Sequence, residues 1–435
     1  MNILVVADYP RPKQQSSGVF NERSVKELRR FCRTIEVVAH HPYFPRLLSA
    51  FPIVSRWKTY ADIKKFEVRD GISIYRPAYL QIPCMAAAFW LDRGAFFWCR
   101  RIVRELHRRA RFDAIMSFDL LTAGGLAWRL GHDLGIPASG WACGSDVRCP
   151  PGTYGWNVVL QAIKHLDLVF YQSHELLEIA ANLLGVDSAT MPEERHVVLP
   201  RGIPEPPSLC RTAVRRRVRL ALGIRDDEIL VLNVGSIERE KGVFDLLKAI
   251  SLAIFHDSRI RCVLLGSRPD FDETNAVQKA VERSPTLQNR VTILPACVPD
   301  RVWEYICAAD IFAFASHNEG MPNSLLEAMA MGLPALAFGI PPIVEIDGGT
   351  GCLIIIPPFS SVQLSEAILR LVTFRDDRAR LGERGKREVM ERFMVQKNMA
   401  EAARRIAQLV AIHKSKVRDR ALLSETGTSI VRQSP

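Results

Sequence analysis

The sequence predicts two consecutive α/β domains, each a doubly wound parallel sheet with helices on both faces. Three observations lead there. Short apolar runs alternate with amphipathic helical stretches almost from end to end, which is the signature of βαβ units. The alternation breaks at "LPRGIPEPPSL" (199–209), where four prolines in eleven residues make a stiff linker, and then starts again. A chain of 435 residues is also too long for one ordinary hydrophobic core.

The elements follow in order. "NILVVA" (2–7) is a short apolar strand, and "VFNERSVKELRRF" (19–31) is an amphipathic helix. "IEVVAH" (35–40) and "ISIYRP" (72–77) are strands, and "RGAFFWCRRIVRELHRRARF" (93–112) is an arginine-rich helix. "DAIMSF", a helix around "AGGLAWRLGHDLG", "IPASGWA", "LDLVFYQS" (166–173) and "HVVLP" (196–200) complete the first half. A basic helix around "RRRVRLALG" opens the second. Strands "EILVLNVGS" (228–236), "IRCVLLGS" (260–267), "RVTILPA" (290–296), "DIFAFAS" (310–316) and "GCLIII" (351–356) alternate with helical stretches. The expected domains are 1–200 and 201–394. A last helix over 395–412 is expected to run back toward the first domain, with an aperiodic, mobile tail over 413–435.

Hydrophobic content of 48% and charged content of 24% suit a soluble globular protein. The net charge of +11 is shared by both halves, with 25 Lys+Arg against 19 Asp+Glu in residues 1–200 and 33 against 28 in the rest. That balance favours an anionic substrate or an anionic membrane surface; no nucleic-acid recognition motif accompanies it. The ten cysteines form no C-x-x-C pair, so neither a zinc site nor a disulfide framework is expected, and the compartment is reducing. "MNILVVADYPRPK" reads as a strand entering a loop and not as a signal peptide, and no apolar run reaches the ~20 residues of a membrane span. A cytoplasmic protein is the expectation.

Ligands of open parallel sheets bind beyond the carboxyl ends of the strands, so the loops there carry the functional reading. Three are polar and glycine-containing: "DYPRPKQQSSGVFNE" with Gly18, "GSIEREKG" with Gly235, Arg239 and Lys241, and "HNEGMPNS". The last opens "HNEGMPNSLLEAMAMGLP" (317–334), with carboxylates at Glu319 and Glu327 on either side of a Gly-Met-Pro-Asn turn. Ser324 as N-cap would put Glu327 at the third helical position, a capping-box spacing. The free amides of a helix start also make an anion site, and two acids flanking it would hold hydroxyls on either side. A nucleotide sugar has that layout: sugar, diphosphate, ribose. "GSIEREKG" is no P-loop, and no G-x-G-x-x-G follows the first strand.

These residues carry a resemblance over about 1–410 to the nucleotide-sugar-dependent glycosyltransferases of family 4. "EGMPNSLLE" resembles their E-x7-E signature, flanked by "EAMAMGLP" and "IVEIDGGTGCLI". "LNVGSIEREKGVFDLLKA" resembles their donor loop, "SSGVFNERSVKEL" their first glycine loop, "CGSDV" their His-Gly-Ser-Asp segment and "LPRGIP" their Asn-Gly turn. The resemblance implies the GT-B fold, two Rossmann-like domains facing a cleft, and sugar transfer from a nucleoside diphosphate with retained anomeric configuration. It implies that Glu319 contacts the donor sugar and Glu327 the ribose, with amides around Gly320, Met321, Asn323 and Ser324 near the sugar and diphosphate. Lys241 would neutralise the leaving diphosphate, Gly18 would let the backbone come near the same phosphates, and Gly235 would belong to the donor-binding loop. The donor sugar would be substrate, with no cofactor and no metal. Three positions depart from the pattern. Ser236 replaces an arginine whose charge Arg239 would supply, Cys143 replaces the histidine, and Arg201 replaces the asparagine. The acceptor is expected to be a saccharide or lipid-linked. Seven arginines with aromatics in 84–111, and the apolar-basic stretch 42–58, suggest peripheral contact with an anionic membrane. The alternatives are a sugar-nucleotide epimerase of the same fold, a glycoside hydrolase using the two acids, and an inactive nucleotide-binding scaffold.

Overall fold

The computed structural model describes residues 1–11, 18–43, 63–80, 93–268 and 272–430, with side chains as far as 419. The chain divides into two compact units, Met1–Leu199 with Lys397–Pro435, and Pro200–Gln396.

The first unit is built on strands β1 (Asn2–Val6), β2 (Thr34–Val38), β3 (His41–Pro42), β4 (Phe66–Arg69), β5 (Ile72–Tyr75), β6 (Ala78–Tyr79), β7 (Ala114–Ser117), β8 (Ala138–Ala142), β9 (Leu168–Tyr171) and β10 (His196–Val198). Eight of them form one sheet in the order β10-β9-β8-β7-β1-β2-β5-β4. Every pairing is parallel except β4 with β5 at the edge. Ile3, Leu4, Val5 and Val6 are fully buried, as expected where helices cover both faces of a parallel sheet. The helices are α1 (Val19–Leu28), α2 (Ala95–Ala110), α3 (Gly125–Leu134), α4 (Tyr154–His165) and α5 (His174–Leu184). The β4–β5 hairpin was not anticipated from sequence. It turns through Asp70 and Gly71, both at positive φ (51° and 70°), which is the Asp-Gly chemistry of a two-residue hairpin. Within the basic stretches expected to meet a membrane, 44–58 and 84–92 lie outside the described residues.

In the second unit α6 (Arg211–Ala221) precedes β11 (Ile229–Val234), α7 (Val243–His256), β12 (Ile260–Ser267), α8 (Thr274–Arg283), β13 (Val291–Pro295), α9 (Pro299–Ala308) and β14 (Ile311–Phe314). Then come α10 (Asn323–Ala330), β15 (Ala335–Phe338), α11 (Pro341–Asp347), β16 (Ile354–Ile356), α12 (Ser361–Thr373), α13 (Arg375–Arg392) and α14 (Val395–Ile430). The sheet order is β13-β12-β11-β14-β15-β16, all parallel. Alternate residues feed opposite faces. Leu230, Leu232, Phe312 and Phe314 pack with α6, α9, α10 and α13, while Val231, Ile311 and Ala313 pack with α7, α8 and α12. The "basic" helix α6 is not simply solvated. Arg219 is 2% exposed, and its guanidinium donates to the carbonyls of Ala308, Arg225 and Glu228 and to Asp310.

The tail expected to be aperiodic from residue 413 is helical, a continuation of α14 as far as Ile430. His413 Nε2 lies 3.0 Å from the Gly135 carbonyl, and Lys414 Nζ donates to Asp113 Oδ1 at 2.6 Å. No helix among the described residues is long and apolar enough to cross a membrane.

Candidate active site

From β11 the chain builds outward through β12 and β13, then returns to lay β14 on the other side of β11. This is the topological switch point where open α/β sheets bind ligands. The β11–β14 ladder ends at Leu232 and Phe312, and Asn233 Nδ2 then donates to the Ala313 carbonyl at 2.9 Å. Two loops emerge side by side, 235–242 and 315–322.

The first loop contains a short 3-10 turn, Arg239–Lys241, and the second leads into α10. Lys241 Nζ donates to Glu319 Oε1 at 2.8 Å, with the side chains 31% and 14% exposed. Sequence positions 78 apart are therefore brought into contact. Ser324 Oγ donates to the Val234 carbonyl at 2.9 Å, anchoring the start of α10 to the end of β11.

That bond corrects the expected capping box. Pro322 holds the N-cap position, no side chain caps the helix, and Ser324 and Glu327 are its second and fifth residues. The amides of Gly320, Met321, Asn323 and Ser324 consequently have no acceptor among the described residues, and Asn323 Oδ1 is also buried without a partner. Unsatisfied amides at a helix start, beside a lysine, form an anion site. Glu327 is 7% exposed on α10, and the Met321 side chain is in the core.

The remaining expected residues have the following positions. Gly235 bonds through its amide to the Leu265 carbonyl, and a Cβ added there would meet nothing within 4 Å. Arg239 lies over the Phe244 ring at 4.6 Å with Nε 3.7 Å from Glu273 Oε1, so its charge is already engaged on the helix side. Gly18 precedes α1 at φ 74°, and a Cβ there would come within 2.8 Å of the Tyr9 backbone. In the "CGSDV" segment Cys143 Sγ donates to the Phe118 carbonyl at 2.9 Å. Asp146 is 4% exposed and accepts the amides of Leu120, Cys143, Gly144 and Val147. Burial, with Asp119 nearby, raises its pKa above the usual carboxylate range. It holds the loop after β8 together.

Sequence reading missed a second layer. His317 Nε2 is 2.9 Å from Asp245 Oδ2, and the His317 amide donates to the Glu240 carbonyl at 2.9 Å. Asp245 is in the first turn of α7, so nothing local in the sequence pairs it with His317.

Two Rossmann-like units, one with an uncapped helix start beside a lysine–carboxylate pair at its switch point, define the GT-B class. The family described as "Glycosyl transferases group 1" is matched over residues 214–388. The putative teichuronic acid biosynthesis glycosyltransferase TuaC of Bacillus subtilis is 30% identical over 385 residues, covering 85% of this chain and 89% of the relative. Sucrose-phosphate synthase of Thermosynechococcus elongatus superposes with a TM-score of 0.72 at 16% identity, over 95% of this chain and 100% of that one. HepE of Anabaena in complex with UDP-glucose superposes with a TM-score of 0.67 at 15% identity, over 92% and 99%. The chain belongs to the GT-B glycosyltransferases.

Proposed function

We propose that this glycosyltransferase moves a sugar from a nucleoside-diphosphate donor to a saccharide or lipid-linked acceptor, with retention of configuration, in assembling a surface polysaccharide or glycolipid. The observation that carries the donor half is the Lys241–Glu319 pair beside the unpartnered amides of Gly320, Met321, Asn323 and Ser324. Charge that develops on the leaving diphosphate meets a preorganised cation and helix-start N–H groups. Glu319 takes the donor sugar and Glu327 the ribose, the roles the family resemblance implies. The relative's teichuronic acid role supports the pathway, and the UDP-glucose complex of HepE supports the donor class. A thermal-shift screen of UDP-, GDP- and ADP-sugars tests the reading. A ligand at 100 times its Kd adds about 2.7 kcal/mol to folded-state stability, so one donor should raise Tm saturably. No shift with any of them would sink the donor assignment.

Two further results are expected. Activity should persist in excess EDTA, because Lys241 and the amides supply the charge that a metal would otherwise bring; activity abolished by EDTA and restored by a divalent cation would refute this. Gly235→Ala should leave Tm near wild type, since its Cβ meets no protein atom within 4 Å, yet raise the donor KM about tenfold or more by blocking backbone approach. An unchanged donor KM would remove Gly235 from the site.

For the acceptor, α2 is the relevant element. It buries Ala95, Cys99, Val103 and Leu106 and exposes Phe97 (69%) and Trp98 (49%). A cavity beside it is lined by Lys65, Trp98, Arg100, Arg101 and Arg104. Exposed aromatics among cations suit the interface of an anionic leaflet carrying a lipid-linked acceptor. The protein should float with strongly anionic vesicles at low salt and be released at high salt. Failure to float at low salt would favour a soluble acceptor.

A further inference from the structure

We propose that His317 is a positioning residue: with Asp245 it clamps three strand-to-helix loops together and so holds Lys241 where the leaving diphosphate develops its charge. The inference rests on the donor-site reading above.

The Lys241 turn is weak by itself. It is a single 3-10 turn whose N-cap residue supplies no side-chain bond and whose first amide, that of Arg239, is held by Glu273 alone among the described residues, and a lysine on a flexible four-carbon stem does not fix its own ammonium. Its carbonyl at Glu240 accepts the His317 amide at 2.9 Å and Ser316 Oγ at 3.4 Å. The imidazole then reaches past the turn to the helix that follows it. Nε2 is 2.9 Å from Asp245 Oδ2, and a carboxylate oxygen accepts, so Nε2 carries the hydrogen. The other carboxylate oxygen, Asp245 Oδ1, accepts from Ser361 Oγ at 3.4 Å, where α12 begins. The ring itself is packed against Phe338, with centroids 6.0 Å apart and planes at 13°, and against Phe359 at 4.3 Å. The loops after β11, β14 and β16 thus meet at one imidazole. Glu319 is two residues beyond His317 on the same loop, so the clamp sets both members of the Lys241–Glu319 pair.

Ring packing alone would make His317 a space-filler, and the test separates the two roles. His317→Phe keeps an aromatic ring between the phenylalanines and removes the bond to Asp245; His317→Gln returns an N–H donor; Asp245→Ala removes the acceptor from the other side should the Phe variant fold poorly. Each is titrated calorimetrically with UDP and UMP, or with the guanosine or adenosine pair if wild type binds that more tightly. Lys241→Ala is the reference, expected to lose about tenfold in diphosphate affinity with monophosphate affinity unchanged. His317→Phe and Asp245→Ala should each weaken the diphosphate about three- to tenfold and leave the monophosphate unchanged. His317→Gln should recover part of the loss, and His317→Phe should add nothing in the Lys241→Ala background. Diphosphate affinity at wild-type level in His317→Phe, or equal losses for both nucleotides, overturns the proposal while Lys241→Ala still supports the donor site. If Lys241→Ala also leaves diphosphate affinity unchanged, the donor reading fails and takes this inference with it.

Discussion

Glu319→Gln is expected to reduce sugar transfer by about 10²–10³-fold, the scale of losing one preorganised electrostatic contact to a transition state, while the protein stays folded. The two halves of that expectation come from different quantities. Glutamine preserves shape, removes the charge that faces Lys241 Nζ across 2.8 Å, and leaves one acceptor oxygen where the proposed reading uses two, for Lys241 and for the donor sugar. The stability cost is small by comparison. Lys241 is 31% exposed, so its ammonium keeps water when the partner changes, and partly exposed pairs contribute only about 0–1 kcal/mol. A large activity loss at nearly constant Tm is therefore the signature. Wild-type turnover in the variant would remove Glu319 from the chemistry, and a large fall in Tm would mean that the carboxylate is holding the loop and not the substrate.

The alternation of elements was legible because strands buried on both faces are plain apolar runs. Ile3–Val6 and Leu230–Leu232 need no partner to be recognised. β15 escaped because Ala335–Phe338 is four residues between a proline and a glycine, with no β-branched side chain. β4 escaped although Asp70–Gly71 gave a hairpin signal; the strand's alternating exposure looks like a loop beside the buried strands. At the candidate site, the loops at the strand ends were legible and the contacts between their residues were not. The capping box failed because the Val234 carbonyl, 90 residues away in sequence, competes successfully for the Ser324 hydroxyl, a tertiary partner displacing a local one. The arginines of α6 were read only as making a basic helix for the same reason. Their acceptors, the Ala308 carbonyl and Asp310, lie about 90 residues on. The contacts that His413 and Lys414 of α14 make, with the Gly135 carbonyl and Asp113, lie about 300 residues away in sequence, and no periodicity in the tail encodes them.

Gly242→Ala should be the most disruptive single-methyl change in the donor loop, destabilising the protein by on the order of 3 kcal/mol through strained backbone and overpacking together. Gly242 adopts φ 65°, and a Cβ there would lie 1.7 Å from the Ala315 carbonyl oxygen and 2.6 Å from its carbon. Both are backbone atoms, so no side-chain rotation relieves the clash. Relief requires the 235–242 and 315–322 loops to part, and that separation acts on the same contacts that join Lys241 to Glu319 and Glu240 to His317. Activity should consequently fall further than the loss of folded protein explains, even when assayed in the cold where the variant remains folded. The contrast with Gly235→Ala is informative. One glycine is required because backbone packs against it, the other because open space faces it. Urea unfolding of the two variants beside wild type, with activity measured on the folded fraction, distinguishes these causes. A Gly242→Ala protein with wild-type stability would mean that the two loops do not touch in solution, and the account of how Lys241 is placed would have to be abandoned.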